Sequence, residues 1–163
     1  MDLTRQILDA NEAWVETGFA GPAGLPPARH LVVVTCMDSR IDVFAVIGLK
    51  NGDAHIIRNA GGIVTDDVQR SIALSQHNLG TVDVVVVQHT DCGMTGFDAT
   101  SFRRQLQEVT GHEPGWEVEG FIDVDASVLD QVETLRSSPW LRHDGEVVGF
   151  VYDVDTGRLR PVT

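Results

Sequence analysis

Hydrophobic positions along the chain fall into two alternating rhythms. Short apolar runs at Leu31 to Thr35, Ala54 to Arg58, Val82 to Gln88 and Val147 to Val154 read as strands. Between them, apolar residues recur every three or four positions, as on one face of a helix. Ile41 to Ile47 predicts a short helix stopped at Gly48. Thr65 predicts an N-cap, with Asp66 and Asp67 in the first turn, where the helix dipole favours carboxylates. Val68, Ile72, Ser75 and Leu79 mark the inner face of that helix, and Gly80 is its natural terminator. Phe102, Leu106 and Val109 mark another helix that ends at Gly111. Val124, Val128, Val132 and Leu135 mark a further one, with Asp123 and Asp125 at its start and Arg136 at its end. Asp155-Thr156-Gly157 then turns the chain into a short edge segment, Arg158 to Pro161. Apolar strands alternating with helices predict a parallel α/β sheet.

The start of the chain follows a different plan. Leu3, Ile7, Ala10 and Trp14 recur at spacings of four, three and four, again one helical face. Three glycines and three prolines between Gly18 and Arg29 read as an irregular connector. The 163 residues are expected to form one domain, with 1–18 as a helical arm and 19–30 as the connector. An amphipathic arm set off in this way either folds back on its own domain or docks on a second subunit. The second reading is favoured, and it predicts a homo-oligomer.

Composition narrows the partners. A formal net charge of −12 argues against nucleic acid and against anionic membrane surfaces, both of which repel an acidic protein. No apolar run approaches the ~20 residues a membrane span needs, and Met1 to Glu12 lacks the apolar core of a signal peptide. These absences predict a cytoplasmic protein.

Two short stretches carry the chemistry, Cys36-Met37-Asp38-Ser39-Arg40 and His89-Thr90-Asp91-Cys92. Each follows an apolar β-branched run, and together they hold the only two cysteines of the chain. The two thiols are open to pairing, but their setting among Asp, Arg and His reads as metal ligation. Two thiolates and one imidazole suit Zn²⁺, and three protein ligands leave a fourth position for water or substrate. If the first and third strands are neighbours, Cys36, His89 and Cys92 converge at the carboxyl edge of the sheet, where open α/β folds collect ligands.

Asp38 and Arg40 follow Cys36 at even spacing, so in an extended chain they project to one side. As a plain surface ion pair they are worth about 0–1 kcal/mol. Beside a metal, Arg40 holds Asp38 ionised and fixed, and Asp38 orients a zinc-bound hydroxide through a hydrogen bond. Two thiolates offset the metal charge, so the bound water should ionise above the ~7 reached by a three-histidine site. Activity is then expected to rise from neutral into mildly alkaline pH, and at low pH Asp38 is expected to close the fourth zinc position itself. Gly61 and Gly62, after the second strand, are candidate pocket lining through exposed amides, or alternatively a tight turn before the Thr65 helix.

Cys36-x-Asp38-x-Arg40, Arg58-Asn59-Ala60-Gly61-Gly62 and His89-x-x-Cys92-Gly93 together resemble the β-class carbonic anhydrases, over a stretch from about Leu31 to the C-terminus. Thr90-Asp91-Cys92-Gly93-Met94 and the Asp153-x-x-Thr156-Gly157-x-Leu159 pattern are most similar to the short archaeal and mycobacterial branch. The resemblance implies zinc on Cys36, His89 and Cys92, an Asp38–Arg40 dyad, and reversible hydration of CO₂ to bicarbonate. It implies a four-stranded parallel sheet in the order 2-1-3-4 with an antiparallel edge strand, flanked by helices. It also implies a dimer or a tetramer of dimers, with the N-terminal helix laid across the partner. Some family members bind bicarbonate at a non-catalytic site built on a Trp three residues before the first zinc Cys. Val33 stands there in this chain, so that site is not implied. The same branch includes hydrolases of carbonyl sulfide and carbon disulfide, the nearest alternative activity. A non-catalytic zinc module, closed by Asp38, is the alternative from a different class.

Overall fold

The computed structural model describes residues 2–162. Strands β1 (Leu31–Cys36), β2 (Ala54–Asn59), β3 (Asp83–His89), β4 (Val147–Tyr152) and β5 (Leu159–Val162) form one sheet in the order β2-β1-β3-β4-β5. The first four run parallel, and β5 pairs antiparallel with β4. The order 2-1-3-4 and the antiparallel edge are thus as the resemblance implied.

All six residues of β1 are buried, as a central parallel strand covered on both faces requires. On one face Val32, Val34, Val84, Val86 and Val151 pack with helices α3 (Asp66–Asn78) and α5 (Val124–Ser137), through Val68, Ile72, Val128, Val132 and Leu135. On the other, Leu31, Val33 and Val87 pack with Ile41, Val43 and Leu49, around the short helix α2 (Val43–Val46). The predicted Thr65 cap forms, its side chain accepting from the Val68 N–H, and Asp123, expected at the start of α5, proves to be its N-cap by accepting from the Ala126 N–H. Helix α5 rests so closely on β4 that a Cβ at Gly149 would collide with Val128 and lie 3.1 Å from Val132.

β1, β2, β3 and β5 differ from the expected strands by one residue at one or both ends, and two elements differ by more, each through a side-chain or turn hydrogen bond. The expected helix over 41–47 is only α2, because the Ile41 N–H closes a turn onto the Asp38 carbonyl (3.2 Å) and Asp42 caps the helix one residue later. The expected strand over 147–154 ends at Tyr152, because Asp153 Oδ1 accepts from the Asp155 and Thr156 N–H groups and turns the chain. Leu79 is the C-cap of α3 and not a residue of its buried face.

Helix α1 (Leu3–Thr17) forms as predicted, capped by Asp2, yet none of its residues is buried. Leu3, Ile7 and Trp14 of its apolar stripe are 68%, 59% and 47% exposed. Helix α4 (Ala99–Thr110) likewise buries no residue.

Candidate metal centre

The chain order places the site. β1 and β3 are neighbours, and their connections leave in opposite directions, one to β2 and the other towards β4. That divergence opens a crevice beyond their carboxyl ends. Cys36 is the last residue of β1, and His89 is the last of β3. Register pairs Thr35 with Val87, so the two strand tips end almost level. Cys92 comes back towards them through a tight turn in which Asp91 has φ +53°.

Sequence spacing proposed these three residues as a set, and the fold brings their ligand atoms to within 4.8 Å of one another, all buried. The two sulfurs are 4.0 Å apart, and both thiols are free. A disulfide needs about 2.05 Å. Two sulfurs at about 2.3 Å from a tetrahedral zinc stand about 3.8 Å apart, close to what is observed. His89 Nδ1 lies 2.8 Å from the Thr90 carbonyl, which can only accept, so Nδ1 carries the proton. Nε2 therefore keeps its lone pair, and it is buried without a hydrogen-bond partner among the described residues. An orphaned imidazole nitrogen beside two converging thiols fits a zinc ion.

Asp38 and Arg40 meet beside this cluster by a route other than the extended chain the spacing suggested. Residues 38–41 form a turn, in which Asp38 Oδ1 accepts from the Arg40 backbone N–H (2.9 Å). Arg40 then donates twice to the carboxylate, Nε to Oδ1 at 3.0 Å and Nη2 to Oδ2 at 2.7 Å. Such a fork fixes orientation as well as charge. Asp38 Oδ2 lies 3.8 Å from His89 Nε2, at the edge of the cluster.

Charge in the cluster is set by the near contact of the groups. The Cys36 thiol is drawn down to about 4, chiefly by the hydrogen bond from Cys92; burial opposes this, and the His89 side chain and then the Asp38 and Gly61 amides assist. Cys92 is pushed above the usual thiol range by the Cys36 sulfur and then by burial. Burial, the largest single influence, disfavours the His89 cation, but the Cys36 sulfur, the Thr90 carbonyl and Asp38 together outweigh it and the imidazole is raised. Side-chain and backbone hydrogen bonds from Arg40 hold Asp38 well below the usual carboxylate range, and Asp38, followed by Asp91, raises Arg40. A metal entering here displaces the Cys92 proton, so its affinity weakens in acid.

Gly61 and Gly62 are both buried at φ +82° and +64° in a 3-10 turn directly after β2. A Cβ on Gly62 would stand 3.0 Å from both the Cys36 nitrogen and the Thr35 carbonyl carbon, so only glycine lets this turn press on β1. Gly62→Ala is expected to destabilise the protein by about 1–3 kcal/mol and to loosen Cys36, through overpacking and an unfavourable φ. A thermal melt with zinc analysis checks this; an unshifted melting temperature contradicts it.

Two arginine contacts were not foreseen. Arg58 donates to the carbonyls of Cys36 (2.9 Å), Ile41 (3.2 Å) and Asp38 (2.6 Å), tying down the whole loop that carries the dyad. Its sequence signals were its place at the head of the Arg58-Asn59-Ala60-Gly61-Gly62 motif and at the end of a strand, where it stands opposite Thr35 once β1 and β2 are paired; neither pointed to these contacts. Arg40 also reaches Asp91, a contact that depends on the turn between His89 and Cys92. Two histidines outside the cluster serve the scaffold: His55 bonds the buried Ser75 hydroxyl at 2.6 Å, and His77 bonds the Trp140 carbonyl at 3.0 Å.

A parallel sheet with two thiols and an imidazole at the tips of adjacent strands, beside an Asp–Arg pair, defines a class of metal-site enzymes. The sequence pattern of the carbonic anhydrase family matches residues 31–116. Beta-carbonic anhydrase 1 of Mycobacterium tuberculosis is 44% identical over 154 residues, 94% of each chain. A carbon disulfide hydrolase of an Acidianus species is 37% identical, over 84% of this chain and 79% of its own. The crystal structure of a carbonic anhydrase from Streptococcus mutans superposes with a TM-score of 0.93 at 41% identity, covering 100% of this chain and 99% of that one. The chain belongs to the β-class carbonic anhydrase family of enzymes.

Proposed function

We propose that this chain is a zinc enzyme that interconverts CO₂ and bicarbonate, with Cys36, His89 and Cys92 holding one ion per subunit. The observation that carries the reading is the convergence of two buried sulfurs and an unpartnered imidazole nitrogen next to a carboxylate already committed to an arginine. Zinc held there would supply a hydroxide nucleophile by lowering the pKa of water, though less far than at a three-histidine site. Asp38 accepts a hydrogen bond from the attacking oxygen and aims its lone pair at the carbon. Arg40 keeps Asp38 ionised and turned to this task. CO₂ and water give bicarbonate and one proton, which passes to solvent. Gly61 and Gly62 line the pocket on the Cys36 side through their backbone.

Asp38 stays ionised far below neutrality, so it does not set the pH dependence of the rate near pH 7. Cys36 and Cys92 bring two negative charges to the site and resist ionisation of the nucleophilic water. The rate is therefore expected to climb from neutral into mildly alkaline pH, and a flat profile across that range contradicts the ligand set. In acid, Asp38 would leave Arg40 and could fill the fourth position on an ion held by Cys36, His89 and Cys92. Stopped-flow CO₂ hydration with metal-quantified protein, recorded across pH, tests the whole reading.

A second reading has specific support. The Acidianus relative is named carbon disulfide hydrolase, and carbonyl sulfide and carbon disulfide are linear and apolar like CO₂. Parallel assays separate the two, and faster turnover of a sulfide substrate overturns the first choice.

We further read residues 1–163 as a single domain with an arm at 1–18 and a connector at 19–30, forming a homodimer or a tetramer of dimers in the cytoplasm. A 15-residue helix with no buried residue is marginal in water by itself, and the exposed Leu3–Ile7–Trp14 stripe of α1 needs a cover that a second subunit supplies. Among the described residues, no helix is long and apolar enough to cross a membrane.

A further inference from the structure

The Asp38–Arg40 pair has a weakness when taken alone. Its two members are only two residues apart on one turn, and the Arg40 side chain is 44% exposed. Arg58 ties the backbone of this turn to β2, but neither that anchor nor the pair itself links the Arg40 side chain to the segment that carries His89 and Cys92. The second half of the Arg40 guanidinium supplies what is missing. Nη1 donates to Asp91 Oδ2 at 2.8 Å, and Nη2 donates to the Asp91 backbone carbonyl at 2.9 Å. Arg40 thus grips Asp38 along one edge and Asp91 along the other, using its planar fork of five donors.

Asp91 lies between His89 and Cys92, so this grip joins the loop of the first ligand to the turn that carries the other two. The geometry has a backbone cost. Asp91 sits at φ +53°, one of two non-glycine residues with positive φ among the described residues, and Asp and Asn tolerate that region better than most. The Asp91 side chain is 78% exposed, and an ion pair so open contributes little stability. Its position between both ligand loops is better explained by orientation than by folding.

We propose that Asp91 is a positioning residue: it fixes Arg40 relative to the metal ligands and thereby keeps the Asp38 carboxylate turned towards the reacting oxygen and off the metal. The inference rests on the function proposed above, because it assigns Asp91 a role only if Asp38 and Arg40 act in the reaction.

The test uses the full zinc-loaded chain and the variants Asp91→Gly, Asp91→Asn, Arg40→Ala and Arg40→Ala/Asp91→Gly. Glycine removes the carboxylate and accepts the positive φ; asparagine keeps that φ and one acceptor oxygen. Asp91→Gly is expected to lower kcat/KM for CO₂ hydration by about tenfold, within the range for outer partners of metal-site groups, with zinc content and melting temperature held. Asp91→Asn is expected to recover most of that loss. Adding Asp91→Gly to Arg40→Ala is expected to cost nothing more, because the effect passes through Arg40. ¹⁵N relaxation of the Arg40 Nε–H, read without turnover, is expected to report a rigid group in the parent chain and a mobile one in Asp91→Gly. Unchanged activity in Asp91→Gly, a loss that adds fully to that of Arg40→Ala, a loss accompanied by zinc depletion, or an Arg40 equally mobile in both proteins overturns the inference. Full activity in Arg40→Ala instead overturns the dyad reading on which it stands.

Discussion

Asp38→Ala is expected to lower kcat/KM for CO₂ hydration by about 10²–10³-fold while leaving close to one zinc per chain, a loss typical of removing a group that handles the proton of the nucleophile. The expectation follows from where the carboxylate points. Both of its oxygens are engaged by Arg40, and Oδ2 stands 3.8 Å from His89 Nε2, beside the ligand cluster without belonging to it. Deleting it therefore leaves the two thiols and the imidazole intact. Asp38→Asn is the sharper comparison, since it keeps the shape but loses the charge that Arg40 grips and presents a donor where an acceptor is needed. Atomic absorption and stopped-flow kinetics on the same preparation check both variants. Loss of zinc with the carboxylate would instead make Asp38 a structural ligand and favour the non-catalytic module.

Removing a sulfur is expected to have the opposite signature. Cys36→Ser or Cys92→Ser should lose most of the zinc and lower turnover by at least about 10³-fold, because a serine hydroxyl stays protonated where a thiolate ligates. Stability should fall as well. Structural zinc sites in small peptides contribute about 10–16 kcal/mol of apparent binding energy at neutral pH, and binding to the folded chain alone adds to its stability. Both sulfurs lie in the apolar cluster that holds Ile41, Val43, Leu49 and Tyr152, so the site and that side of the core are one packed unit. Zinc analysis and melting temperature with and without a chelator check this. A serine variant that keeps full zinc would remove that sulfur from the ligand set.

What the amino-acid sequence discloses here divides along a physical line. Strands β1 and β3 were legible because parallel strands covered on both faces must be apolar throughout, and Leu31 to Val34 and Val84 to Val87 are. The cap at Thr65 was legible because a side chain satisfies a backbone donor a few residues away. The three ligand residues were legible because cysteines are scarce in this chain and both follow strands. The strand order rested on family resemblance, because periodicity does not encode it, whereas the dyad's role was argued from the chemistry of Asp38 and Arg40 beside a metal.

Positions that depend on long-range approach stayed hidden. Arg58 heads a motif the sequence singles out, but its role stays hidden until β2 lies beside β1 and its guanidinium meets three carbonyls. Asp91 is one acidic residue among many until a positive φ turns both its carboxylate and its carbonyl towards Arg40. The early end of β4 and the shortness of α2 come from single hydrogen bonds at Asp153 and Ile41, too local for an apolar pattern to register. The exposed stripe of α1 shows the converse: the pattern announced a buried face, and one subunit alone does not bury it.

Zinc K-edge X-ray absorption of the purified chain tests the metal centre most directly. The account predicts a four-coordinate shell of two sulfurs at about 2.3 Å and two lighter atoms at about 2.0–2.1 Å, one of them from imidazole. A shell of nitrogen and oxygen alone, or a preparation that folds and turns over CO₂ with no stoichiometric zinc, would contradict it.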